Sequence, residues 1–85
     1  QICFFTVGKD EVRAWPIARD THARRASRTI HTDLEKGFIR AEVITYTTLI
    51  EQGSEAACKS IGELRVEGKD YIVQDGDIIN VRFNV

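Results

Sequence analysis

The sequence predicts an α+β domain with the β-grasp, ubiquitin-like arrangement, a mixed sheet with one main helix packed on one face. Three observations carry this. Residues 2–17 read as a strand, a turn and a second strand, and residues 22–33 follow with a helical apolar pattern. The chain then closes on alternating apolar residues, Ile79, Val81, Phe83 and Val85. A strand–helix–strand crossover is right-handed, which sets the helix on a single face. The closing strand is expected parallel to the first and in the middle of the sheet, where its four inward-facing apolar residues would be buried.

The elements follow in order. Ile2-Cys3-Phe4-Phe5-Thr6-Val7 is a β-branched and aromatic run that stops at the turn cluster Gly8-Lys9-Asp10. Val12 to Ile17 resumes as a strand, and Pro16, which cannot donate to a ladder, places its end at a sheet edge. Asp20-Thr21 offers an N-cap for a helix over residues 22–33. At 100° per residue Ala23, Ala26 and Ile30 share one arc, and Arg24, Arg25 and Arg28 share the opposite one. Gly37 closes this unit. Phe38 to Tyr46 reads as a strand whose Ile39, Ala41 and Val43 turn inward, alternating with Arg40 and Glu42. Thr47 to Ile61 reads as two short helical turns broken at Gly53, with Leu49, Ile50, Ala57 and Ile61 inward. Leu64–Glu67 and Tyr71–Val73 are short strands, and Gln74-Asp75-Gly76-Asp77 is the tight turn before the last strand.

Composition bounds the function. Eighty-five residues allow one core, and 42% apolar with 29% charged residues is the balance of an ordinary globule. No apolar run approaches the ~20 residues that cross a bilayer. The expectation is a cytoplasmic monomer without membrane contact. The chain has no Met, so Gln1 is read as an internal residue of a longer protein. Cys3 and Cys58 stand outside any metal or redox spacing, and His22 and His31 have no ligand pattern around them. No metal or cofactor is expected in this segment. Residues 1–40 carry +3 and residues 41–85 carry −4, a dipolar distribution that favours oriented docking on a charged partner.

Two motifs invite a catalytic reading and fail it. Gly53 to Ser60 matches GxxxxGK[ST] except that Cys58 stands where the second glycine must let the backbone curl around phosphate. The preceding segment also reads as helix where a buried strand is required. Asp75-Gly76-Asp77 lacks the further oxygen ligands of a calcium loop and reads as a turn. The surface constellation that remains is Arg24, Arg25 and Arg28, with His31 on the same arc one turn later and Lys9 and Arg13 earlier in the chain. Three guanidinium groups within a turn repel one another, and an anionic partner such as RNA phosphate would relieve them. The alternative is a solvated face answered by Asp20, Asp33 and Glu35. No aromatic is interleaved with the arginines, which argues against a platform for stacking single strands.

Ile30-His31-Thr32-Asp33-Leu34-Glu35-Lys36-Gly37-Phe38-Ile39-Arg40-Ala41-Glu42-Val43 resembles the TGS domain of the YchF/Obg-like ATPase family. Phe4-Phe5-Thr6 and Glu11-Val12-Arg13-Ala14-Trp15 precede it, and Gly68 to Asp77 and Arg82-Phe83-Asn84-Val85 follow, so the resemblance covers essentially the whole chain. It implies a β-grasp module at residues 1–85, at the end of a P-loop NTPase that hydrolyses ATP or GTP with magnesium in a nucleotide domain outside this chain. It also implies association with ribosomes and no catalytic residue here. Ala23-Arg24 and Arg28 replace the family's Ala-Pro pair and a later Gly, which predicts a more regular helix and makes the arginine face partly particular to this chain. Two function classes stand. One is a module docking on RNA, the ribosome or the parent's nucleotide domain; the other is a ubiquitin-like carrier activated at its C-terminus. The carrier needs a flexible Gly-Gly end, and Phe83-Asn84-Val85 reads as strand.

Overall fold

A computed structural model describes residues 1–84. Five strands and four short helices follow the chain as β1 (Ile2–Val7), β2 (Val12–Ile17), α1 (Ala23–Ser27), α2 (Thr32–Lys36), β3 (Phe38–Thr45), α3 (Tyr46–Gln52), α4 (Glu55–Ser60), β4 (Arg65–Glu67) and β5 (Asp77–Phe83). The sheet order is β2-β1-β5-β3-β4. As the patterning requires, β5 is central, parallel to β1 and antiparallel to β3. The β1–β2 hairpin keeps its register from Ile2 opposite Ile17 to Val7 opposite Val12. Pro16 therefore stands on an edge strand, where its missing N–H removes no ladder bond from a central strand.

The period-two alternation of the strands sorts side chains between two faces. On one face Ile2, Phe4 and Ile17 meet Ala41, Val43 and Ile79 beneath Ala23 and Ala26 of α1. Two alanines let the helix sit close to the strands. On the opposite face Ile44 and Ile78, paired across β3 and β5, are also buried. Phe5 shares that face, and its ring lies 6.3 Å from Tyr46 of α3. The α3–α4 segment therefore covers part of the second face, with Cys58 of α4 fully buried.

The single helix expected over residues 22–33 is two helices, and its loss of Pro and Gly does not make it regular. Ser27 Oγ donates back to the Arg24 carbonyl at 2.6 Å, a local bond of the kind that competes with helix continuation. β-branched Thr29 and Ile30 follow, and His31 adopts extended geometry (φ −166°) to cap α2. The first helix does not start at an Asp20 cap either. Asp20 is left-handed (φ 70°), and the Nδ1 atom of His22 accepts the Arg25 N–H. The Tyr71–Val73 strand is a hydrogen-bonded extended segment with one isolated bridge, Ile72 to His22.

Four further expectations of burial are corrected. A bulge between Phe38 and Arg40 turns Ile39 outward, leaving it 52% exposed. Phe83, paired with Phe38 where the sheet outruns its short helices, is 46% exposed. Ile50 and Ile61 also face solvent, because each helix of the α3–α4 pair is too short to bury more than one side. Val85 lies outside the described residues. Among the described residues no helix is long and apolar enough to cross a membrane.

Candidate functional site

The basic face is built where β2 hands over to α1. Beyond Ile17 the chain turns through Ala18–Thr21, with the Thr21 hydroxyl donating to the Ala18 carbonyl at 2.6 Å. The Ala23 N–H is tied to the Tyr71 carbonyl at 2.7 Å, which fixes where α1 begins. Burying Ala23, Ala26 and Ser27 leaves Arg24, Arg25 and Arg28 exposed, as the helical arc predicts.

All three arginines converge on one residue of α2. Arg24 Nε donates to the Glu35 carbonyl at 3.0 Å, and the guanidinium groups of Arg25 and Arg28 lie 3.7 and 4.0 Å from the Glu35 carboxylate. Both of these ion pairs are well exposed on the arginine side, and such pairs contribute only about 0.2–1 kcal/mol. The carboxylate of Glu35 thus answers two guanidinium groups, and its backbone carbonyl accepts from the third. Of the other two acids expected to answer them, Asp33 lies 3.6 Å from His31 and Asp20 is in the loop turn. Arg25 and Arg28 also line an open cleft of about 420 Å³ with Pro16, Ile17, Ala18, Thr21 and Thr29.

The remaining candidates separate. His31 is not on the arginine arc, because the helix breaks before it; its Nδ1 accepts the Asp33 N–H at 3.0 Å as the cap of α2. Lys9 is exposed at the hairpin tip, beside Asp10 and Glu11. Arg13 joins the helix-bearing face. The pairing of Phe4 with Trp15 and Ile2 with Ile17 puts Arg13, Trp15 and Ile17 on the side that carries α1. There the Arg13 guanidinium carbon lies 4.5 Å from the Trp15 ring centroid. The ring is held in turn by its N–H, which donates to Thr6 Oγ1 at 2.9 Å, and by Phe4 at 6.5 Å between centroids.

Trp15 stands on β2 and not among the helix arginines, so the expectation of no aromatic beside the basic face is corrected. The i, i+2 spacing of Arg13 and Trp15 is the signal, since it puts both on one face of a strand.

The phosphate-loop lookalike does not fit a nucleotide. Gly53 (φ 86°) closes α3, with its N–H on the Leu49 carbonyl, and Ser54 Oγ accepts the Ala57 N–H to start α4. Cys58 is fully buried in that helix. A helix occupies the place where amide groups would have to cradle phosphate. We expect the chain alone to show no ATP hydrolysis in a phosphate-release assay, with Lys59→Ala indistinguishable from it. Magnesium-dependent hydrolysis that Lys59→Ala abolishes would reverse this reading.

Comparison with known proteins places these features. The family model described as YchF-GTPase_C, protein of unknown function (DUF933), matches residues 1–84. The chain is 58% identical over 84 residues to Obg-like ATPase 1 of Oryza sativa subsp. japonica, covering 99% of the chain and 21% of that protein. It is 56% identical over 82 residues to the ribosome-binding ATPase YchF of Pasteurella multocida (strain Pm70), covering 96% and 23%. The solved Schizosaccharomyces pombe YchF GTPase superposes with a TM-score of 0.90 at 41% identity, over 95% of this chain and 21% of that one. The chain spans about a fifth of the length of these relatives.

Proposed function

Because the chain belongs to the YchF/Obg-like ATPase family and corresponds to its C-terminal domain, we propose that it is the family's TGS docking module. In this reading residues 1–85 form one non-catalytic domain that docks the parent ATPase on ribosomal RNA. The observation that carries it is the shortage of negative charge on the α1 face, where Arg25 and Arg28 share the single carboxylate of Glu35 and Arg24 has only the Glu35 backbone carbonyl. Phosphate would supply the missing counter-charge in the geometry that guanidinium groups bind best. The name ribosome-binding ATPase borne by the Pasteurella relative accords with this. ATP or GTP and magnesium belong to the parent's nucleotide domain, since residues 53–60 are helical here. The module acts in the cytoplasm.

The test replaces Arg24, Arg25 and Arg28 together by Glu in the full-length parent and follows co-sedimentation with ribosomes across a salt series. Packing should survive, because all three side chains are exposed, and the melting temperature of the isolated chain should move little. Wild-type affinity should fall steeply with salt, since each neutralised phosphate releases counterions. The triple variant should bind at least tenfold more weakly and with a shallower slope. Equal binding by both proteins would return the arginines to a solvated helix face, and contact with the parent's own nucleotide domain would then be the reading to test.

A further inference from the structure

We infer that the module recognises unpaired RNA, with a base stacked on the outer face of the Arg13 guanidinium. The inference rests on the docking reading above and adds the class of nucleic acid to it. Its starting point is the Arg13–Trp15 pair. A guanidinium is planar and has two faces. The Arg13 guanidinium carbon lies over the Trp15 ring, 4.5 Å from its centroid, while the residue as a whole is exposed. Trp15 is half-buried and pinned by Thr6 and Phe4, so it cannot swing away when a ligand arrives. The outer face of Arg13 is thereby presented on a rigid support, and β2 is the outermost strand on that side of the sheet.

A flat, delocalised cation on a fixed aromatic suits a nucleobase, which stacks on guanidinium planes as it does on aromatic rings. Duplex bases are already stacked on one another and offer no free face, so the platform selects single-stranded segments. Phosphate sites lie within reach. Arg13 is four strand residues, or about 13 Å, from Ile17, which lies on the same face and lines the cleft that Arg25 and Arg28 share. One strand could stack a base on Arg13 and lay its backbone across Arg25 and Arg28. The apolar wall of that cleft, Pro16, Ile17 and Ala18, carries no acidic group to oppose it.

The sole tryptophan provides the readout. Trp15 fluorescence is titrated with a mixed-sequence single-stranded RNA oligonucleotide and with a duplex of the same sequence, each across a salt series. Wild type should prefer the single strand and show a fluorescence change on binding. Arg13→Lys keeps the charge and removes the plane, so single-strand affinity should fall about tenfold, the scale of one stacked base. Its salt slope and its duplex affinity should not change. Arg13 is exposed, so the variant should fold, and an unaltered thermal midpoint checks that.

Equal binding by wild type and Arg13→Lys, or equal affinity for single strand and duplex, would overturn the stacking inference and leave the basic-face reading standing. Failure of wild type to bind either RNA, while full-length protein still sediments with ribosomes, would point to a protein partner and overturn both.

Discussion

Replacing Phe4 by Ala should destabilise the domain by about 3–5 kcal/mol, the range for truncating a large buried aromatic side chain. Phe4 is 1% exposed and stands at the centre of the main core, on β1 between β2 and the central β5. Its loss opens a cavity under α1 and withdraws one of the two groups that hold Trp15. A chain of 85 residues has a total stability of roughly 4–13 kcal/mol, so this variant should be at or near the edge of folding. Urea unfolding followed by Trp15 fluorescence measures it. The companion Phe83→Ala should cost only about 1 kcal/mol, because that ring is 46% exposed and has less area to lose. A result in the reverse order would mean that the core lies at the open end of the sheet, beyond the helices.

Asp77→Ala should cost about 2–3 kcal/mol, the penalty for leaving part-buried donors without their acceptor. Asp77 is 3% exposed at the start of β5. Its Oδ2 accepts the Tyr71 hydroxyl at 2.6 Å and the Gln74 N–H at 2.9 Å, and its Oδ1 lies 3.7 Å from an Arg65 nitrogen. Truncation leaves these donors facing a void, whereas Asp77→Asn retains an acceptor oxygen and should cost less.

The same network predicts an alkaline transition. Burial, reinforced by the hydrogen bond to Asp77, raises the Tyr71 pKa above its ordinary value of 10.0, although Arg65 opposes the shift. Since the folded value exceeds the unfolded one, this stabilisation is complete below pH 10 and is lost as pH climbs through the raised folded value. Unfolding measured from pH 8 upward should show that loss in wild type and less of it in Tyr71→Phe. Identical profiles would show that Tyr71 ionises without disturbing the fold.

Much of this architecture was legible in the chain because it depends on short-range rules. A β-branched and aromatic run interrupted at Gly8-Lys9-Asp10 marked the hairpin, and Pro16 marked its second strand as an edge. Ile79 and Val81 announced the central strand, and Gly53 the break between α3 and α4. The arginine arc was legible too, since Ala23 and Ala26 on one side of a helical turn leave Arg24, Arg25 and Arg28 on the other. What escaped depended on neighbours distant in sequence. The bulge that turns Ile39 out is a property of the β3–β5 pairing, and the exposure of Phe83 reflects how far two five-residue helices reach across the sheet.

The helix break at His31 lay between these cases. Its local causes, Ser27 and the β-branched pair, are in the sequence, but an unbroken apolar arc runs across them and masks the break. Local pattern and motif were enough for the order of the elements, the central place of β5, the side of α1 that faces water and the family to which the chain belongs. Tertiary structure alone decided that Glu35 stands against all three arginines and that Arg13 rests on Trp15 beside their cleft. The reason is physical: periodicity states which way a side chain points, but which partner it meets there is set by the packing of elements that are far apart in the chain.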